Sequence, residues 1–138
     1  TSMAPTTGQS LRNAYAVHHL PDGRMVPLTK EQVDAKIAGT KEKVHAWKRA
    51  AARAEKGAQS AFDENKPNRK LREELEAVHT AVALGEKDVS AFLDVVTFKG
   101  ESSASMYMKF TDSLAELEIT LWEAITTLKD VEDFENEE

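Results

Sequence analysis

The segment LREELEAVHTAVALGEKDVSAFLDVVTF, residues 71–98, carries Leu71, Leu75, Val78, Val82, Val89, Phe92 and Val96 at alternating four- and three-residue steps, with Gly85 alone breaking the row. That spacing holds one apolar seam along a helix and lets it pack against a neighbour. A second row on another side, Ala77, Ala81, Leu84, Ala91, Val95 and Phe98, follows the same rhythm and is interrupted by Asp88. A helix apolar on two sides calls for two partners. The segment is therefore expected to lie between two other helices.

The flanking sequence supplies both. Upstream, Thr29 opens a helix with Gln32 three positions on, a capping box. Val33, Ile37, Thr40, Val44, Trp47, Ala51, Ala54, Ala58 and Ala61 then keep the same step without a miss. Downstream, Ser102 or Ser103 can cap a third helix with the seam Tyr107, Phe110, Leu114, Leu117, Leu121, Ala124, Leu128 and Val131. Between the first two, Asn65-Lys66-Pro67-Asn68 breaks the helix, because proline lacks the amide and restricts the residue before it. Gly100 is a good left-handed stop after the second. Helices over about 30–64, 68–99 and 103–131 joined by short turns predict an all-α, elongated antiparallel three-helix bundle with coiled-coil-like heptad packing, spanning 29–131.

Ahead of the bundle, residues 1–28 form an arm. Residues 1–14 are small, polar and turn-forming, and are expected to be flexible. Residues 15–28 place two β-compatible runs around Pro21-Asp22-Gly23, which reads as a short β-hairpin, with a loop and short helix as the rival. Residues 132–138 read as an acidic tail that frays beyond Val131, with Phe134 among its carboxylates.

Composition narrows the chemistry. The 138 residues fit one domain, and no apolar run approaches the roughly 20 residues of a spanning helix. No basic-then-apolar leader is visible, so a cytoplasmic protein is the default expectation. The absence of cysteine removes thiolate nucleophiles and cysteine-ligated zinc. No G-x-S-x-G, phosphate-loop or dinucleotide motif occurs, so neither an enzyme, a cofactor nor a small-molecule substrate is expected.

Three constellations remain. On the third helix Met108, Ala115, Ile119 and Trp122, with Ile125 nearby, form an apolar row roughly opposite the seam. Such a row marks an association surface for a protein partner or a second copy, and an interaction or structural-assembly module is the preferred function. Lys66, Arg69, Lys70 and Arg72 cluster beside Phe62 at the first turn, which suits an anionic membrane surface as the alternative. Charge is segregated, with 14 Lys+Arg against 7 Asp+Glu in residues 1–72 and 4 against 17 in 73–138. Laying the first helix beside the last would offset much of this. A stripe of His45, Arg49, Arg53 and Lys56, with Lys41 and Lys48 beside it, could follow a phosphate backbone, but the acidic overall balance argues against nucleic acid.

The third constellation is a pair of Glu-x-x-His motifs, Glu42/His45 and Glu76/His79, the i, i+3 spacing that di-iron bundles use. Folding the first two helices about Pro67 leaves the two histidines about nine residues apart along the axis, roughly 13 Å. A metal-binding bundle is thus the weakest reading, and no metal ligand is assigned. Folding the last two helices about Gly100 instead places His79 opposite Trp122, where the rings can stack.

Overall fold

A computed structural model describes the backbone of residues 11–137 and the side chains of residues 11–134. Most of the expected flexible arm, and the end of the expected acidic tail, lie outside the described residues. The elements in chain order are β1 (Ala16–His19), β2 (Met25–Leu28), α1 (Lys30–Glu64), α2 (Arg69–Val95), β3 (Val96–Phe98) and α3 (Glu101–Glu137). The three helices pack into a bundle, closed near its N-terminal end by a three-stranded antiparallel sheet in the order β2-β1-β3.

Local chemistry fixes the ends of α1 and the start of α2. The Gln32 amide donates to the Thr29 hydroxyl at 3.1 Å, and the Thr29 amide donates to the Gln32 side chain at 2.8 Å. At its far end α1 stops on Asn65 in the left-handed region, φ 51°, whose N–H closes onto the Ala61 and Phe62 carbonyls. Asn68 then accepts from the Leu71 amide at 3.1 Å to start α2.

The expected helix end near residue 99 is corrected to Val95. Val95-Val96-Thr97-Phe98 is a run of β-branched and aromatic residues, and β1 offers it a free edge. Ala16 pairs with Phe98, Val17 with Thr97 and His18 with Val96. This third strand answers a physical need, since a lone two-stranded hairpin is marginal in water. The Lys99 amide extends the ladder to the Tyr15 carbonyl at 3.1 Å, and the His19 ring meets the Thr97 hydroxyl at 2.8 Å. On the opposite edge, Pro27 in β2 has no N–H to offer another chain. Ala16, Val33 and Val96 form a small core beneath the sheet.

The middle helix is also corrected. α3, not α2, packs extensively against both others, while α1 and α2 touch each other far less. Half of the second row of α2 accordingly faces out, with Ala77 and Ala91 exposed and Leu84 61% exposed, while Ala81 is half-buried and Val95 and Phe98 pack against the core at the sheet end. On α3 every seventh residue from Tyr107, namely Leu114, Leu121 and Leu128, has 0% exposure. α3 meets α1 through the alanine seam, where Ala51, Ala54, Ala58 and Ala61 are all buried and leave room for its larger side chains. Its own end runs to Glu137, past the expected fraying point at Val131. The reason is that Glu132 is buried and neutralised by arginine, as described below.

Two glycines let α1 and α2 meet where they do. Trp47 of α1 lies across Gly85 of α2, so that a Cβ there would sit 2.7 Å from the indole edge. Leu71 of α2 lies in the same way against Gly57 of α1. Gly85, which breaks the apolar seam in sequence, is the seat of Trp47. At the sheet end Phe92, Phe98 and Phe110 surround Tyr107, with Phe92 stacked on it at 4.9 Å between centroids and Phe110 edge-on at 5.6 Å. The Tyr107 hydroxyl is buried with no hydrogen-bond partner among the described residues, and burial pushes the phenol up to about 12. Thr40 lies close enough to oppose that shift, but its own hydroxyl donates to the Lys36 carbonyl at 3.0 Å.

Removing the unpaired hydroxyl by Tyr107→Phe keeps the aromatic packing and is expected to leave stability unchanged or raise it by up to about 1 kcal/mol in chemical denaturation. A loss of more than about 1 kcal/mol would show that the hydroxyl is satisfied in solution. Gly85→Ala is expected to destabilise by about 1–3 kcal/mol through the Trp47 clash, against the helix-propensity gain of alanine. In a Trp47→Leu background the same change should cost nothing or stabilise, and the double-mutant cycle measures the coupling.

Candidate interaction surface

α3 packs on two helices, so its buried arc is wider than one seam. Ile125, one residue beyond Ala124, falls inside that arc and is only 2% exposed. Its expected place in the outward row is therefore corrected: it belongs to the core. The row itself is outward. Met108 is 60% exposed, Ile119 60% and Trp122 57%, with Ala115 half-buried between them. They fall at i, i+7, i+11 and i+14 on one face.

This face borders α2. His79 of α2 lies beside Trp122, ring centroids 6.1 Å apart and tilted by 45°, the neighbour relation that folding about Gly100 creates. One to two turns further along, Glu86 of α2 meets Glu118 of α3. The Glu118 carboxyl as hydrogen-bond partner, partial burial and charge repulsion together hold the Glu86 carboxyl above its ordinary range. The sequence reading missed this pair, although the register that brings 79 to 122 brings 86 to within one turn of 118.

The expected basic tip divides. Arg72 binds Glu132 of α3 through two parallel bonds, Nε to Oε2 at 2.5 Å and Nη2 to Oε1 at 3.1 Å, and reaches Glu76 at 2.7 Å. These carboxylates raise the pKa of Arg72, Glu132 first among them. Arg69 approaches Glu132 at 3.4 Å, and Lys129 approaches Glu76 at 3.5 Å. Two of the four tip cations thus clamp α2 to α3, and Lys66 and Lys70 are left exposed on the surface. Forked Arg–carboxylate geometry is the strong form of this contact. The acidic residue that makes it looks, in sequence, like part of a tail.

On α1, Lys41, His45, Lys48, Arg49, Arg53 and Lys56 are all exposed. Lys48 of this stripe lines a shallow groove with Glu116 of α3, but among the described residues no ion pair joins the stripe to α3. Between α1 and the rest of the bundle, the described ion pair is Lys36–Asp88 at 3.2 Å, with Lys36 also over the Phe92 ring. That pair stands on the rim of a groove of about 600 Å³ between α1 and α2, floored by Leu114 and walled by Trp47 and Leu84. The two Glu-x-x-His motifs are not brought together. Glu76 is held by Arg72 and Lys129, His79 lies against Trp122, and His45 is out on the α1 face. No group of three His, Asp or Glu placed to hold a metal ion occurs among the described residues. No helix among them is long and apolar enough to cross a membrane.

Comparison with known proteins adds no relative: no family model, no curated protein and no solved structure matches this chain.

The Glu86–Glu118 contact sets a pH dependence. The folded state raises the Glu86 pKa, so it favours the protonated carboxyl. The pair's contribution is fully present below the ordinary carboxylate range and is lost as pH rises through the raised value. Glu118→Gln removes the repulsion and is expected to stabilise the protein at neutral pH while flattening the fall in stability as pH rises out of the ordinary carboxylate range. Denaturation midpoints of the two proteins across that range check it, and parallel curves would show that the carboxylates are independent.

Proposed function

We propose that the protein is a non-enzymatic association module, an adaptor or assembly subunit, that binds another protein chain through the outward row of α3. The observation that carries this reading is the exposure of Met108, Ile119 and Trp122 on one face of a helix whose other faces are already packed. Single exposed apolar residues need no explanation, whereas Ile119 and Trp122 adjoin within one turn, with Met108 further along the same face, and large apolar side chains grouped in this way mark a contact. Trp is enriched at the energetic centre of interfaces, and here its indole is steadied by His79. The divided basic tip gives the anionic-membrane alternative less to work with, since Arg69 and Arg72 are engaged by Glu132.

A photo-crosslinking residue in place of Ile119 is expected to capture a protein chain in the cells that make this protein. The same residue in place of Lys41, on the exposed face of α1, is not. Trp122→Ala should suppress capture at 119 while changing folding stability by about 1 kcal/mol or less, as fits a side chain more than half in water. No adduct at 119, or equal adducts at 119 and 41, would overturn the proposal.

A further inference from the structure

The association reading leaves the partner's chemistry open, and the charges around the row narrow it. Within one helical turn of Ala115, Ile119 and Trp122 on α3 lie Asp112, Glu116, Glu118 and Glu123. From α2, Glu86 stands against Glu118. The cation on the same stretch is Lys109, beside Met108 at one end of the row. A second copy seated on this face would bring the same carboxylates against their counterparts, and like charges across an interface disfavour association. Residues 1–10 carry one large apolar side chain, Met3, and no charge, so they offer neither the apolar surface nor the cations that this face calls for.

We infer that the α3 row binds a cationic amphipathic helix of another protein, whose apolar stripe covers Met108, Ile119 and Trp122 and whose flanking Lys or Arg side chains meet Glu86, Glu118 and Glu123. This rests on the association reading above and adds the sign and shape of the partner. The recognition is helix-on-helix, read through anchors spaced at i, i+3, i+4 and i+7. The apolar side chains supply burial, and the carboxylates supply orientation and selection against acidic partners. The repulsion between Glu86 and Glu118, which α2 and α3 do not relieve themselves, is relieved when an ammonium or guanidinium enters between them.

Three synthetic helical peptides of equal length test this against the full chain by calorimetry. The first has a Leu/Trp stripe flanked by Lys, the second the same stripe flanked by Glu, and the third the first composition scrambled so that no stripe forms. Binding is expected for the first alone. Glu86→Gln with Glu118→Gln should weaken it about tenfold or more, and so should Ile119→Ala with Trp122→Ala. Glu42→Gln, on the exposed face of α1, should leave it unchanged. The carboxamide variants lose a repulsion, so they remain folded and their effect is read on binding.

Equal binding of the scrambled peptide, equal binding of the Glu-flanked peptide, or an equal loss in the α1 control would overturn the inference. A crosslink at 119 to a second copy or to an acidic chain would also overturn it while leaving the association reading standing. No crosslink at all removes both.

Discussion

The bundle depends on burying one helix between two others that barely touch. α3 must present apolar side chains over a wide arc, and it does so with the fully buried series Tyr107, Leu114, Leu121 and Leu128 flanked by Phe110, Leu117, Ala124, Ile125 and Val131. α1 and α2 reach each other at few points, so those points are cut deep. Trp47 seats on Gly85 and Leu71 seats on Gly57, each in a place where a side chain would block the approach. The groove floored by Leu114 is the space left where the two outer helices stand apart.

The same constraint explains which parts of the architecture the sequence disclosed. The three seams and the break at Pro67 report directly on burial and backbone restriction, and they predict three antiparallel helices; Gly100, read as a left-handed stop, has no positive φ and lies after β3 instead. The order of the layers was not legible that way. An apolar row of alanines such as Ala77, Ala81 and Ala91 has the right spacing but little area to bury, about 25 cal/mol per Å² of a small side chain. Larger residues spread around α3 therefore win the middle position. β3 was hidden for a different reason. Val95-Val96-Thr97-Phe98 continues the helical row and has β propensity as well, and only the unpaired edge of β1, far off in sequence, decides between them.

At the candidate surface, single-helix reasoning found residues on the correct face but could not assign them a width. Ile125 was separated from Trp122 by the breadth of the arc that two neighbours bury, a tertiary quantity. Charges were harder still. A carboxylate near a chain end reads as tail, yet Glu132 is a buried anchor because Arg72 arrives from 60 residues away with matched geometry. The cations of α1 were expected to neutralise the acids of α3, but the helices meet through their apolar seams, and the stripe stays in water.

Lys36, Arg69 and Arg72 do meet acids of the second half, and the charges left on the outer faces bear on function. The free face of α1 is built as a solvated face usually is, from Lys41, His45, Lys48, Arg49 and Arg53. The free face of α3 faces the same solvent and is built differently, from Met108, Ile119 and Trp122 among carboxylates. Nothing in the bundle requires those three residues to be apolar, because the helices they would pack on are already seated elsewhere. Solubility favours polar substitutes at each of the three. Keeping large apolar groups and unrelieved carboxylates together on one strip makes physical sense when something both greasy and positive comes to lie along it.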